Sequence, residues 1–219
     1  MKKLTVVLAL TAMTVIVTGT VHGQFEPGVI SFRPEVGFGW ESTVGVSFGG
    51  AVTYGLSDNV AVGPVFMYSM AGRKWEGEQG GQSFKTKGSN TMTVAGRIYY
   101  FFEEGFNYPG FDYPWYIDAG VGIVKFGSIE EFDDGTKISI QNEEGEIKGA
   151  TRFAFNIGTG SVFEMSDNMA ILLDVNSYIG GYGDRKGKNR SQDDIDLNND
   201  LEGGTFWLLN FALGLNLTF

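Results

Sequence analysis

From Val44 to Leu56 the chain alternates between large and small residues. Val44, Val46, Phe48, Gly50, Val52, Tyr54 and Leu56 take the even positions, and Gly45, Ser47, Gly49, Ala51, Thr53 and Gly55 the odd ones. A two-residue period predicts a strand with one apolar face. Glycine at this density speaks against a helix, at roughly 1 kcal/mol per residue relative to Ala. The same period predicts eight strands, at 29–40, 44–56, 60–72, 90–102, 115–127, 149–164, 169–182 and 204–219. Each is long enough to cross a bilayer when tilted, which takes about 9–11 residues. Strands of soluble proteins average about 5–6.

The connections alternate too. Ser57-Asp58-Asn59 and Ser166-Asp167-Asn168 sit in a repeated text, Tyr54 to Val62 against Phe163 to Ile171. Both predict three-residue hairpin loops, in which Asn suits the left-handed position. Three other connections, 73–89, 128–148 and 183–203, are long and polar, and the one near Glu41 to Thr43 is very short. Long loops at one end and mostly short turns at the other match a transmembrane barrel. Glu103 to Pro114 reads as a longer loop on the short-turn side.

The two faces differ in kind. One carries Phe32, Val36, Phe38, Phe66, Ile98, Ile117, Val121, Ile123, Phe153, Phe155, Ile157, Leu173, Phe211, Leu213, Leu215 and Leu217. The other is mostly Gly, Ala, Ser, Thr and Asn, with Arg33, Glu35, Arg97, Asp118, Arg152, Glu164 and Asp174. A narrow barrel holds Gly and Ala inside more readily than a crowd of Phe and Leu. One strand cation facing lipid costs about 2–4 kcal/mol, so turning the small face outward would cost on the order of 10 kcal/mol or more, as much as a whole domain's stability. The apolar face therefore belongs in lipid. Tyr54, Tyr100, Phe102, Tyr113, Trp115, Phe163 and Phe219 fall near one rim, and Trp40, Tyr68 and Trp207 near the other, as aromatic girdles require.

Residues 1–23 have the layout of a cleaved export signal: Lys2 and Lys3, an apolar run from Leu4 to Val17, then Val21 and Gly23 at −3 and −1 of a cut before Gln24. As a helix the apolar run rises about 21 Å, too little for a hydrocarbon core of roughly 30 Å. Residues 24–219 are then one barrel domain. The chain has no Cys, and its one His, His22, leaves with the signal. Thiolate or imidazole metal sites, disulfides, Cys nucleophiles and Ser-His pairs are thereby excluded from the exported part. The formal charge of −10 speaks against nucleic acid.

The inward charges Arg33, Glu35, Arg97, Asp118, Arg152 and Asp174 must pair if buried, and an interior salt-bridge network is the expectation. A gate that breaks and reforms to pass ions is the alternative. Tyr99, Phe101, Tyr116, Phe126, Tyr178 and Phe206 point inward and would plug an interior only as wide as its side chains. The acidic loop with Glu130, Glu131, Asp133, Asp134, Glu143, Glu144 and Glu146 is either solvated or bridged by divalent cations to lipopolysaccharide phosphates. Asp194, Asp196 and Asn198 have calcium-loop spacing, but Asn199 and Thr205 stand where Gly and Glu are needed. No metal site and no cofactor is expected. The cluster Arg185, Lys186, Lys188 and Arg190 either balances loop charge or meets lipid phosphates.

The chain ends Phe211-Ala-Leu-Gly-Leu-Asn-Leu-Thr-Phe219. This alternation and its terminal Phe, together with the export signal, eight strands and Ser-Asp-Asn turns, resemble the small OmpA/OmpX-like outer-membrane β-barrel superfamily, often labelled porin-family proteins. The resemblance covers nearly all of residues 24–219. It implies an all-β, eight-stranded antiparallel up-and-down transmembrane β-barrel in a Gram-negative cell envelope, with both termini on the periplasmic side. It also implies that the barrel assembly machinery reads Gly214, Leu215, Leu217 and Phe219 and that outer-membrane lipids and lipopolysaccharide surround the barrel. Members differ mainly in their loops, so surface ligands of the long loops are one expectation for function. A narrow conduit for ions or hydrophobic solutes, as proposed for the OmpW-type relatives, is the other. Enzymes among such barrels generally use a His, and residues 24–219 have none.

Overall fold

The structure is a computed structural model. It describes residues 27–70, 72, 74, 76–79, 82–108, 111–140, 143–183, 186–189, 195–196 and 204–219. The export segment lies outside these residues. The strands are β1 (Ile30–Trp40), β2 (Val44–Ser57), β3 (Val60–Ser69), β4 (Glu76–Gln79), β5 (Gln82–Lys85), β6 (Thr91–Tyr108), β7 (Phe111–Phe126), β8 (Ser139–Ile140), β9 (Glu143–Ile147), β10 (Ala150–Ser166), β11 (Met169–Gly181), β12 (Lys186–Asn189), β13 (Ile195–Asp196) and β14 (Thr205–Thr218).

Eight of them close an antiparallel up-and-down barrel in the order β1-β14-β11-β10-β7-β6-β3-β2. Closure leaves no sheet edge within the wall, a necessity for a wall that faces hydrocarbon. β1 and β14 complete the ring, with Phe32 opposite Leu217 and Phe38 opposite Phe211. The alternation sorts the side chains as the sequence predicts. Phe32, Phe38, Phe48, Ile98, Ile123, Phe155, Ile157 and Phe211 are exposed on the outside, while Tyr99, Tyr116, Tyr178 and Phe206 are almost wholly buried inside. An apolar exterior of this extent is stable in lipid and a liability in water.

Three details differ from the expectation. First, the Ser-Asp-Asn loops are tighter. Ser57 pairs with Val60 and Ser166 with Met169, and a bulge takes up the extra residue in each strand. The two asparagines do the same work in both turns. Asn59 Nδ2 donates to the Phe101 carbonyl at 3.1 Å, and Asn168 Nδ2 to that of Thr218 at 3.2 Å. Each Asn carbonyl in turn accepts the neighbour's backbone N–H, so both turns clamp the next strand.

Second, Glu103 to Pro114 is not an open loop. β6 and β7 run on past the barrel wall as a two-stranded ribbon, with Phe106 opposite Tyr113 and Tyr108 opposite Phe111. Third, the long polar loops are folded. β4 and β5 form a hairpin, and β8, β9, β12 and β13 form a small sheet in the order β13-β12-β9-β8. These loops look polar in sequence because their strands are only two to five residues long and carry few apolar side chains.

Candidate functional site: the barrel interior and its cap

The interior has three levels. The innermost, nearest the short turns, is an apolar cluster of Ala61, Tyr99, Phe101, Tyr116, Val162, Ala170 and Leu172. The rings pack edge to face or tilted, with Tyr99 and Phe101 at 5.8 and 5.2 Å from Tyr116, an arrangement favoured by the ring quadrupoles. Glycine makes this possible. A Cβ on Gly160 would run into the Tyr116 ring, so β10 presents bare backbone where β7 places its largest inward side chain.

Above lies a charged layer. Arg33 and Glu35 come from β1, Arg97 from β6, Asp118 from β7 and Asp174 from β11, and all five are buried. Arg33 donates from Nη2 to Tyr116 Oη at 2.9 Å, and its guanidinium lies 4.8 Å from the Tyr99 ring centroid and 5.1 Å from that of Tyr116. Arg97 donates from Nη2 to Tyr178 Oη and sits 5.3 Å from that ring. The tyrosines thus supply both hydrogen-bond acceptors and π faces to the buried cations. Arg97 Nε is 3.7 Å from Asp118 Oδ1. The Asp174 carboxylate oxygens accept no hydrogen bond from the described residues, nor do Arg33 Nε and Nη1 donate one. Gly158 serves the acids as Gly160 serves Tyr116. A Cβ there would meet both Asp118 Oδ2 and Asn176 Oδ1.

Arg152 stands apart from the group in which its inward parity placed it. Asp118 is opposite Gly158 and Arg152 opposite Val124, so the two are separated by six residues, about 20 Å of strand. Arg152 lies at the outer mouth, where Nε donates to the Tyr182 carbonyl and Nη1 to that of Thr151 at 3.3 Å. Parity reports the face of a strand but not the height along it. The buried layer therefore holds two guanidinium and three carboxyl groups, not three of each.

Asparagine and serine continue the wall outward. Ser47 Oγ donates to Asn210 Oδ1 at 2.6 Å, and Asn156 Nδ2 to Asn176 Oδ1 at 3.2 Å. The third level is again apolar and unites strand and loop. Met67, Val124, Phe126, Ala154, Tyr178, Tyr182, Phe206 and Leu208 pack with Ile129, Ile138, Ile140 and Ile147, and Phe132 covers them. Sequence reasoning found Phe126, Tyr178 and Phe206 but missed the four isoleucines and Tyr182.

Polar contacts hold this cap in place. Tyr182 Oη donates to Glu41 Oε1 at 2.5 Å. Thr86 bridges to Phe132, and Ile129 to Ile147. Lys74 pairs with Asp133 at 2.6 Å, Lys137 with Glu131 at 2.9 Å, and Lys87 also bonds Glu131. Hydrogen bonds from Lys87 and then Lys137 hold the Glu131 carboxyl at about 2, well below the ordinary carboxylate range, and Glu131 in turn raises Lys137. The backbone N–H of Thr136, at 2.8 Å, lowers Asp134. Part of the acidic loop charge is thus spent on lysines of its own and the neighbouring loop.

At the closing strand, Gly214 stands opposite Glu35 and Leu172, Leu217 opposite Phe32 and Met169, and Leu215 and Phe219 are exposed. Asp194, Asn198, Asn199, Asp200, Arg185 and Arg190 lie outside the described residues.

No family model matches the chain, and no curated protein matches it. Solved structures do. A major outer membrane protein from Thermus thermophilus aligns with a TM-score of 0.54 at 11% identity, over 87% of this chain and 99% of that one. The Neisserial surface protein A aligns with a TM-score of 0.51 at 9% identity, over 87% and 96%. The fold is that of the small outer-membrane β-barrels. At these identities the likeness extends to the backbone path and not to side chains.

Proposed function

We propose that the protein is a non-catalytic barrel of a bacterial outer membrane, exported by the signal at residues 1–23, that stabilises the envelope and presents folded loops to surface partners. The observation that carries this reading is the doubly sealed interior. Tyr99, Phe101, Tyr116 and Leu172 fill one end, and the isoleucine cap over Phe126, Tyr182 and Phe206 fills the other. Eight strands enclose little beyond side chains, and here aromatic rings occupy that space on both sides of the charged layer. The loops, in turn, form sheets cross-linked by ion pairs, which suits a surface of fixed shape. Lipid and lipopolysaccharide are the surroundings of the belt, and Gly214, Leu215, Leu217 and Phe219 on the closing strand are the segment offered to the assembly machinery.

One observation favours transport as a second reading. Arg33, Arg97, Asp118 and Asp174 retain buried polar atoms without hydrogen-bond partners among the described residues, and such atoms attract water. A hydrated layer is one element of an ion path, with Arg97 as its movable part.

Planar-bilayer conductance of the refolded protein beside an Arg97→Ala variant tests the two. The sealed scaffold predicts a silent bilayer for both, with folding verified by the heat-dependent gel shift. Discrete current steps whose size changes with Arg97→Ala overturn it in favour of the conduit.

A further inference from the structure

The hydrogen-bond ladders of the wall are not equally continuous. Those between β3 and β6, β6 and β7, β7 and β10, β10 and β11, and β11 and β14 run unbroken through mid-wall. Two others are interrupted there. β1 and β14 pair as far as Phe32–Leu217 and resume in the same register at Glu35–Gly214, passing over Arg33 and Pro34. β2 and β3 pair as far as Ala51–Val65 and resume at Tyr54–Val62, passing over Val52 and Thr53 on one strand and Gly63 and Pro64 on the other.

Each gap holds a proline, which has no N–H to give a ladder. Pro34 keeps its pairing with Gly50 of β2, and Pro64 its pairing with Gly96 of β6. A strand residue turns its N–H and C=O toward the same neighbour. The missing donor of Pro34 is therefore lost to β14, and that of Pro64 to β2. Both losses flank the same two strands. β1 and β2 pair with each other from Ile30–Tyr54 to Trp40–Val44 without a break. The gaps also lie at nearly one height. Pro34 faces Gly50, and the second gap begins at Val52, about 7 Å along the strand.

Packing repeats the division. Neither apolar cluster of the interior includes a residue of β1 or β2 among its described members. The buried inward side chains of the two strands are Ser31, Arg33, Glu35, Ser47, Ala51 and Thr53. Their ties to the rest of the interior include the hydrogen bonds from Arg33 to Tyr116 and from Ser47 to Asn210. Segments with few buried apolar contacts open at the lowest free energy. In hydrocarbon a broken backbone hydrogen bond finds no water to replace it, so the wall yields first where the fewest bonds must break.

We propose that the β1–β2 hairpin is a movable panel of the wall, opening as one unit along its two proline-broken seams while the other six strands and both seals stay in place. Opening withdraws Arg33 and Glu35 from the charged layer and leaves Arg97, Asp118 and Asp174 on the six remaining strands. The proposal rests on the reading of the barrel as membrane-spanning and is independent of whether the barrel conducts.

Hydrogen–deuterium exchange of the protein refolded into phosphatidylcholine vesicles tests it, with the gel shift confirming the barrel. Amides of 30–40 and 44–57 should exchange together, at least about tenfold faster than those of β10 and β11. The double variant Pro34→Ala with Pro64→Ala returns both donors and should slow the hairpin at least about tenfold, with β10 and β11 unchanged. A hairpin as protected as β10 and β11 overturns the panel, as does a hairpin whose two strands exchange at different rates. Fast exchange that the double variant leaves unaltered removes the prolines as its cause and overturns the proposal as well. Each of these results leaves the membrane barrel standing. Rapid exchange in all eight strands overturns the membrane reading itself.

Discussion

The two seals of the interior are built by different means. The inner seal consists of barrel-strand residues alone, with Tyr99, Phe101 and Tyr116 projecting from β6 and β7 into space left by Gly160. The outer seal takes part of its substance from the loop between β7 and β10, whose Ile129, Ile138, Ile140 and Ile147 fold down over Phe126 and Phe206. The inner seal thus shares the fate of the barrel, because removing it means deforming the wall. The outer seal can come away while the wall persists, because local openings follow cooperative units. The difference teaches that a filled barrel can hold one permanent plug and one separable lid.

The largest effect expected from breaking this comparison is at Tyr116. Truncation to Ala removes a fully buried ring and the acceptor of Arg33. By analogy with buried aromatic truncations it should cost about 3–5 kcal/mol, measured by urea unfolding from detergent or lipid. A loss under about 1 kcal/mol would show that the inner cluster is not integral to the wall.

Next comes the layer between the seals. Gly158→Ala drives a methyl into the Asp118 and Asn176 oxygens and should cost about 1–3 kcal/mol as an overpacked site. An unchanged unfolding midpoint would mean that the two side chains are free to swing aside.

For the outer seal, the double variant Ile138→Ala with Ile147→Ala should loosen the cap by about 2 kcal/mol or more. Amide exchange across 128–148 should then quicken at least about tenfold, while β10 and β11 keep their protection. Equal acceleration in cap and wall would abolish the distinction between lid and plug.

The smallest effect is that of acid. Glu131 titrates at about 2 in the folded protein against 4.5 for the free group. Its depressed value means that its bonds to Lys87 and Lys137 contribute fully above about pH 4.5 and are lost as pH falls toward 2. Both lysines are exposed and solvent screens the pairs, so the expected result is a modest rise in exchange at 128–148 between pH 5 and pH 2. A Glu131→Gln variant should show the fast rate already at pH 7 and respond less to acid. If it behaves like the parent at both pH values, the bridge does not hold the cap.

The wall is largely legible in the sequence. Parity alone assigns Tyr99, Tyr116, Tyr178 and Phe206 inward, and Phe38, Ile98, Phe155 and Phe211 outward, and all eight lie where it puts them. The charged layer is half legible. Arg33, Glu35, Arg97, Asp118 and Asp174 do share the interior, but Arg152 has the same parity and a different height. The cap is not legible at all. Ile129, Ile138, Ile140 and Ile147 lie among Glu, Asp, Gly and Lys, and the stretch becomes a sheet through short pairings of its own, β8 against β9, together with pairing to a distant segment, β9 against β12. The ribbon escapes notice for a related reason: its pairing register shifts between Phe102 and Phe106.

The sequence by itself determined the eight strands of the wall, the facing of each and the lipid that its outer face requires. These follow from a local rule, since successive strand residues point to opposite faces, and from the large cost of the wrong side chain in lipid. Only the tertiary structure decided which charges share a level, which glycines leave room for rings and acids, and that the polar loops close into a lid. Those outcomes depend on register between strands distant in the chain and on close packing, where a shift of two residues keeps every facing and changes every neighbour.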